Sequence, residues 1–173
     1  MNTRSSSLSF LTLTVATALL FSVGVSAASP RTANLESLGS SEGNSSETAS
    51  LTAEVHEAKR DSTGALLSVT WSVENTGDSP EALIFLRDRE YSYSEHNYAG
   101  VTVKNNETDT RFHPIMDGSG NCLCSGPTSN DLAQQVTPGQ KVAYWSLYSV
   151  PRDIEFIVVE LPGFSPIEDI PIS

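Results

Sequence analysis

Apolar and polar residues alternate with a period of two in the middle of the chain. Across residues 67–74 (LSVTWSVE), every second residue is apolar without a break. Such alternation places all the apolar side chains on one face of a β-strand. The turn-forming residues 75–78 (NTGD) follow directly, which predicts that the strand ends there.

Further segments carry a weaker form of the same pattern between turn signals. They are residues 51–58, 82–86, 100–103, 111–116, 141–148 and 154–161. Hardly any stretch has a helical period. The chain thus has about seven strands with one apolar face each. Two sheets packed against each other would bury all of these faces. The sequence therefore predicts an all-β fold, with a β-sandwich as the expected architecture and a small β-barrel as the alternative.

The C-terminal segment 162–172 alternates prolines with apolar residues. Its prolines stand at positions 162, 166 and 171, and its large apolar residues are Phe164, Ile167, Ile170 and Ile172. Proline removes a backbone donor, so this segment is expected as an extended cap or an edge strand rather than a central strand.

The N-terminal residues 1–27 have the three parts of a secretory signal peptide. Arg4 precedes an apolar run over residues 8–25, and small residues follow at 26–28. This order predicts cleavage after Ala27 or Ala28 and a secreted, extracellular product without a membrane span. An uncleaved anchor is the alternative, because the run approaches the ~20 residues that cross a bilayer.

Residues 28–50 are rich in Ser, Gly, Thr, Asn and Glu, and contain only Leu35 and Leu38 as large apolar residues. A segment of this composition buries too little apolar surface to offset its ordering entropy. We therefore expect a disordered linker over residues 28–50, followed by one folded domain over residues 51–173.

The chain is acidic, with a formal charge of −11. Removal of residues 1–27, which contain Arg4 and no acid, changes that charge to −12. Nucleic acids and anionic membrane surfaces are poor partners for such a protein, because their phosphates would be repelled.

Several of these turn motifs resemble those of a known group. Residues 72–78 (SVENTGD), 136–140 (VTPGQ) and 149–151 (SVP) are similar to small exported immunoglobulin-like domains of actinobacteria. Residues 120–126 (GNCLCSG) resemble a variant in that group with a Cys-x-Cys loop. The resemblance covers residues 51–173 and implies an immunoglobulin-like β-sandwich. It supplies no catalytic residues.

Cys122 and Cys124 are the two cysteines of the chain. An oxidising environment favours a disulfide between them. Residues two apart in a strand have Cα atoms ~7 Å apart, at the limit for a disulfide, so the bridge requires a turn. Neighbouring glycines at 118, 120 and 126 and Pro127 supply one. Two alternatives to a structural disulfide remain. The cysteines could form a redox-active dithiol, or they could be free or metal-bound thiols.

No metal or cofactor is predicted. The histidines at positions 56, 96 and 113 do not match a zinc spacing. Residues 117–121 (DGSGN) begin like a calcium loop, but Cys122 stands where glycine is needed and Thr128 where glutamate is needed. A glycine-rich hairpin loop explains this segment better.

Tyr91, Tyr93 and Tyr98 form the best candidate binding loop. Tyrosine offers a large contact area at a low entropic cost, so tyrosine-rich loops suit recognition. The alternative is that one or two of the rings pack onto the core.

No catalytic residues are predicted, since no Gly-x-Ser-x-Gly nucleophile motif is present. We therefore expect a non-enzymatic exported binding or structural module that contacts an extracellular protein, a cell-wall component or a small ligand through loops at one end of the sandwich. The alternative is a thiol-disulfide redox protein that uses Cys122 and Cys124.

Overall fold

The computed structural model describes residues 35–88, 90–94, 96–126 and 132–173. The predicted signal peptide and residues 28–34 of the predicted linker lie outside this part of the chain.

The described residues form strands and one short 3-10 helix, Ile84–Leu86. The strands are β1 (Gly39–Glu42), β2 (Leu51–Arg60), β3 (Leu67–Asn75), β4 (Glu81–Ala82), β5 (Thr102–Asn105), β6 (Thr110–Phe112), β7 (Gln135–Val136), β8 (Lys141–Tyr148), β9 (Phe156–Glu160) and β10 (Ile167–Pro171). All of their pairings are antiparallel. The prediction of an all-β fold is thus confirmed.

Two four-stranded sheets carry most of the structure. The first has the order β1-β2-β3-β8 and the second has the order β10-β9-β5-β6, while β4 and β7 form a separate pair. β3 lies between β2 and β8, and its alternating residues Leu67, Val69, Trp71 and Val73 are all fully buried. The uninterrupted alternation of residues 67–74 therefore marks a central strand.

Apolar side chains from both sheets meet in one core. Trp71 on β3 lies 4.8 Å from Tyr144 on β8, measured between ring centroids, and Tyr98 lies 5.0 Å from Tyr144. Val103, Ile157 and their neighbours from the second sheet pack into the same cluster. One apolar core therefore receives side chains from both sheets.

The prediction of a strand over residues 82–86 is wrong for most of that segment. Only Glu81–Ala82 is extended, and Ile84–Leu86 forms the 3-10 helix. Phe85 and Leu86 are both buried although they are adjacent. Because adjacent residues of a strand point to opposite faces, a helical turn is needed to direct both of them inward.

The disordered linker predicted for residues 28–50 also needs correction. β1 pairs with β2 from Gly39 opposite Val55 to Glu42 opposite Thr52. Thr48 is fully buried, and its hydroxyl donates to the carbonyl of Gly163 at 2.5 Å. A polar segment can be ordered in this way because backbone pairing to an open sheet edge requires no apolar side chains.

The C-terminal segment is an edge strand, as predicted. β10 pairs with β9 at the edge of the second sheet, and its Ile167 and Ile170 are buried. The chain then crosses to the first sheet, where Ser173 N–H donates to the Ala58 carbonyl at 2.9 Å. Within the described ranges, no helix is long and apolar enough to cross a membrane.

Candidate functional site

An open cleft of about 480 Å³ lies on the outer side of the second sheet. Its walls come from separate parts of the chain: the turn before β2, the 3-10 helix and the residues after it, β5 and β6, and the segment that follows β9. Phe85 and Phe164 both line it, with ring centroids 6.2 Å apart. We call this site the Phe85 cleft.

An ion pair crosses one wall of the cleft. The Arg111 guanidinium donates to both oxygens of Glu160, with Nε–Oε2 2.7 Å and Nη2–Oε1 3.1 Å. The Thr102 hydroxyl donates to the same carboxylate at 3.1 Å. Burial alone would raise the pKa of Glu160, but the hydrogen bonds and the charge of Arg111 outweigh it, so the pKa is lowered. Glu160 is therefore ionised and its charge is compensated.

A second polar group joins Asp88 to His113. The Asp88 side chain is only 4% exposed, and its Oδ1 accepts the backbone N–H groups of Glu90, at 2.7 Å, and Tyr91. His113 Nδ1 lies 3.6 Å from Asp88 Oδ2. That nitrogen is buried and has no hydrogen-bond partner among the described residues. Asp88 thus fixes the loop that carries Glu90 and Tyr91 beside the cleft.

The structure separates the three predicted binding tyrosines. Tyr91 is 53% exposed, and its ring packs against His113 with centroids 4.4 Å apart. Tyr93 is partly buried, and its hydroxyl donates to the Pro114 carbonyl at 2.5 Å. Burial, followed by the charge of Asp88, raises the pKa of Tyr93 to about 12. Tyr91 is therefore the member of the three whose ring is most open to a partner.

Tyr98 is a core residue, which corrects its prediction as a binding residue. Its side chain is 2% exposed, and its hydroxyl donates to the Ala133 carbonyl at 2.6 Å. Burial raises its pKa to about 12. The ring packs against Trp71 and Tyr144.

Cys122 and Cys124 form the predicted disulfide, with their Cα atoms 5.2 Å apart. A turn brings them together, as expected. Met116 and Cys122 face each other across a hairpin whose loop is held by Asp117, because Asp117 Oδ1 accepts the N–H groups of Ser119 and Asn121 at 2.8 Å. These N–H groups, with the side-chain amide of Asn121, lower the pKa of Asp117.

The disulfide stabilises an extension of the first sheet. Cys124 pairs with Ser146 on β8, and Ser125 N–H donates to the Trp145 carbonyl at 2.8 Å. Both cysteines are buried and pack against Ala99 and Tyr93. Because thiol-disulfide exchange requires access of a thiolate to sulfur, this burial favours a structural bridge over the redox alternative.

The three histidines lie apart in the structure. His56 is buried in the first sheet, with Nε2 2.8 Å from the Ser72 hydroxyl and Nδ1 3.1 Å from the Glu36 carbonyl. Ser72 is fully buried, so this pair supports the sheet rather than a reaction. His96 is exposed and His113 lines the cleft. No cluster of three or more His, Cys, Asp or Glu able to hold a metal occurs in the described residues.

Sequence reasoning did not find the cleft. Its key residues, Phe85, Asp88, Arg111, His113 and Phe164, come from distant positions and follow no common motif. Only Tyr91, at its edge, was singled out for binding.

Comparison with known proteins gives little further information. No family model matches the chain, and no curated protein matches it. A conserved hypothetical protein from Bacillus anthracis, solved at 2.2 Å, is similar with a TM-score of 0.41 and 13% identity, over 76% of this chain and 95% of that chain. Similarity at this level assigns neither a fold family nor a function.

Proposed function

We propose that this protein is a secreted, non-enzymatic binding module that holds an extracellular partner at the Phe85 cleft. The partner belongs to the classes expected for an exported acidic protein: a surface protein, a cell-wall component or a small ligand. The N-terminal residues 1–27 act as its cleaved signal peptide.

The scaffold of this module is an immunoglobulin-like β-sandwich. Support comes from two four-stranded antiparallel sheets that share one apolar core and from the turn motifs described above. The segments that flank the strands of such a scaffold can vary without loss of the core, so binding sites are commonly built from them.

The cleft itself is the observation that carries the binding role. It combines apolar aromatic walls with a few polar groups in fixed positions, which is the usual composition of a ligand site. Phe85 and Phe164 provide the aromatic part, and the Arg111–Glu160 pair and Asp88 provide the polar part. Tyr91 adds an exposed ring beside His113.

The same polar groups are poorly suited to catalysis. Glu160 is neutralised by Arg111, and Asp88 accepts two backbone N–H groups. Glu160 also accepts the Thr102 hydroxyl, but its charge is already paired with Arg111, so it is a poor general base for that hydroxyl. A binding role fits this geometry better than acid–base chemistry.

The test is partner capture by the mature protein, residues 28–173, with Tyr91→Ala as the site variant. Tyr91 adjoins the cleft by packing on His113, which lines it. Phe156→Ala is the matched control, because Phe156 is also an exposed aromatic residue (56%) but lies at a separate pocket. Surface proteins and cell-wall fragments from the producing cells should be retained by the wild type and the control. Retention should fall with Tyr91→Ala, and equal retention by all three would reject the proposal.

A further inference from the structure

We propose, on the basis of the binding role above, that the Phe85 cleft takes a cationic group: the lysine or arginine side chain of a basic segment in a partner protein. Three features of the cleft support this class of ligand. They are its uncompensated negative charge, a preformed carboxylate and aromatic pair, and apolar walls.

The charge of the cleft is the first feature. Among the described residues, four carboxylates line it, from Glu47, Asp88, Glu90 and Glu160, against two guanidinium groups, from Arg87 and Arg111. Arg111 is already paired with Glu160. The remaining lining groups therefore carry more negative than positive charge. A concave surface with an excess of one sign attracts the opposite charge more strongly than a flat one.

Glu90 and Tyr91 are the second feature. The Glu90 side chain is 69% exposed, and the basic side chain nearest to it in the described structure is His113, with Nε2 3.9 Å from Oε2. This distance is too long for a hydrogen bond, so the carboxylate is available to a ligand. The adjacent Tyr91 ring is also exposed. A lysine or arginine head group within ~6 Å of an aromatic ring gains a cation–π interaction.

The geometry of this pair is fixed before binding. The backbone N–H groups of Glu90 and Tyr91 both donate to the nearly buried carboxylate of Asp88. The Tyr91 ring also packs on His113. A site that is held in place by its own protein loses less entropy when the ligand binds.

The apolar walls are the third feature. Phe85, Leu161 and Phe164 line the cleft but are only 3–6% exposed, because they also belong to the core. The half-buried Pro162 and the exposed Pro166 add more open apolar surface. Lysine and arginine have long aliphatic stems that cover apolar surface while the charged end remains in a polar environment. A small inorganic cation would leave these walls without a contact. An anionic ligand would face the excess of carboxylates over guanidinium groups among the described lining residues.

Peptide titration of the mature protein tests the inference. The probe is a flexible nonapeptide of glycine and serine with arginine at its three central positions, and the matched peptides carry glutamine or glutamate there. Binding is followed by two-dimensional amide NMR at low ionic strength. The arginine peptide should shift resonances of Phe85, Glu90, Tyr91 and Phe164, and the other two peptides should not.

Two variants separate a specific site from general attraction to an acidic surface. Glu90→Gln should weaken binding of the arginine peptide about fivefold or more, the effect of losing roughly 1 kcal/mol of charge pairing. Glu57→Gln removes the same charge from an exposed position on β2 outside the cleft, and should change affinity less than about twofold. Both positions are exposed, so neither change threatens folding.

The outcomes distinguish this inference from the proposed function. Equal losses in both variants, with shifts spread over the surface, would overturn the assignment of a cationic ligand to the cleft. Shifts at the cleft with the glutamate or glutamine peptide would also overturn it, while leaving the binding role intact. If Tyr91→Ala also retains the native partner fully, the binding role fails as well.

Discussion

Arg111 and Glu160 face each other across the strand that separates them. Arg111 lies on β6 and Glu160 on β9, and β5 runs between these strands in the second sheet. The two side chains join over the outer face, with Arg111 Nε 2.7 Å from Glu160 Oε2. This contact ties three strands together and forms one wall of the Phe85 cleft.

The first prediction concerns the pH dependence of this pair. Because Arg111 lowers the pKa of Glu160 in the folded state, the contact stabilises the protein above the unfolded pKa of ~4.3 and is lost as pH falls through the folded pKa. Glu160→Gln should reduce the free energy of unfolding by up to about 1 kcal/mol at neutral pH, since Arg111 is half exposed.

Urea unfolding of the wild type and Glu160→Gln, at neutral pH and near pH 3, measures this effect. The difference between the two proteins should shrink at the lower pH. If the difference in the free energy of unfolding between the two proteins is the same at both pH values, the ionised pair contributes nothing to stability.

The second prediction concerns β1. A chain that begins at residue 51 lacks the pairing of Gly39–Glu42 with β2 and the buried hydroxyl contact of Thr48. With each net hydrogen bond worth ~1 kcal/mol, it should be less stable than a chain that begins at residue 35 by about 2 kcal/mol or more. Denaturant midpoints of the two chains provide the measurement. Equal midpoints would restore the view of this segment as a linker.

The third prediction concerns the disulfide. A bridge between residues only two apart closes a very small loop, so its entropic contribution is about 1–2 kcal/mol. Replacement of both cysteines by serine should lower stability by roughly that amount or somewhat more, because both positions are buried. Amide exchange should accelerate first around Cys124 and its partner Ser146. A global loss of fold would contradict a local role.

The same bridge should be inactive in redox chemistry. Since both cysteines are buried, the mature protein should not accelerate insulin reduction by dithiothreitol, in contrast to a thioredoxin-type control. Catalytic turnover that disappears in the double serine variant would establish the redox alternative and exclude a purely structural bridge.

The fourth prediction separates Tyr98 from Tyr91. Tyr98→Phe removes a buried hydroxyl that donates to the Ala133 carbonyl, and should cost about 1 kcal/mol. Tyr91→Phe should leave the free energy of unfolding nearly unchanged, because Tyr91 is exposed. Chemical unfolding of both variants is the measurement. Comparable losses at the two positions would contradict their different burial.

Tyr98 also affects stability at alkaline pH. Its folded pKa of about 12 lies above the ordinary value of 10.0. Its contribution is therefore complete below pH ~10 and is lost as pH rises towards the folded pKa. The stability difference between wild type and Tyr98→Phe should narrow over this range.

Local patterns in the sequence predicted several features correctly. The alternation of residues 67–74 predicted β3, because a central strand with one buried face imposes a period of two. The oxidising environment predicted a bridge between Cys122 and Cys124. Their spacing predicted that the bridge needs a turn, because covalent geometry limits the distance that a disulfide can cross. Turn residues and prolines predicted the edge position of the C-terminal strand. All of these signals involve residues within a few positions of one another.

Other features required the tertiary structure. β1 has no apolar pattern, and it is ordered because the edge of β2 and the side chains of β10 lie beside it. Gly39 is suited to this place, since a Cβ atom there would lie 2.7 Å from Ile167 Cγ2. The contact joins residues at opposite ends of the described chain, and no local pattern reports it.

By itself, the sequence determined an all-β protein and showed that any bridge between Cys122 and Cys124 needs a turn, since periodicity and covalent reach are local properties. The tertiary structure alone decided that Tyr98 is buried while Tyr91 remains exposed, and that Phe85, His113 and Phe164 meet in one cleft. Which distant side chains share a surface depends on how the sheets pack and how their flanks are joined. That packing depends on the contacts among all the strands of the core at once, so the sequence of a single segment does not predict it.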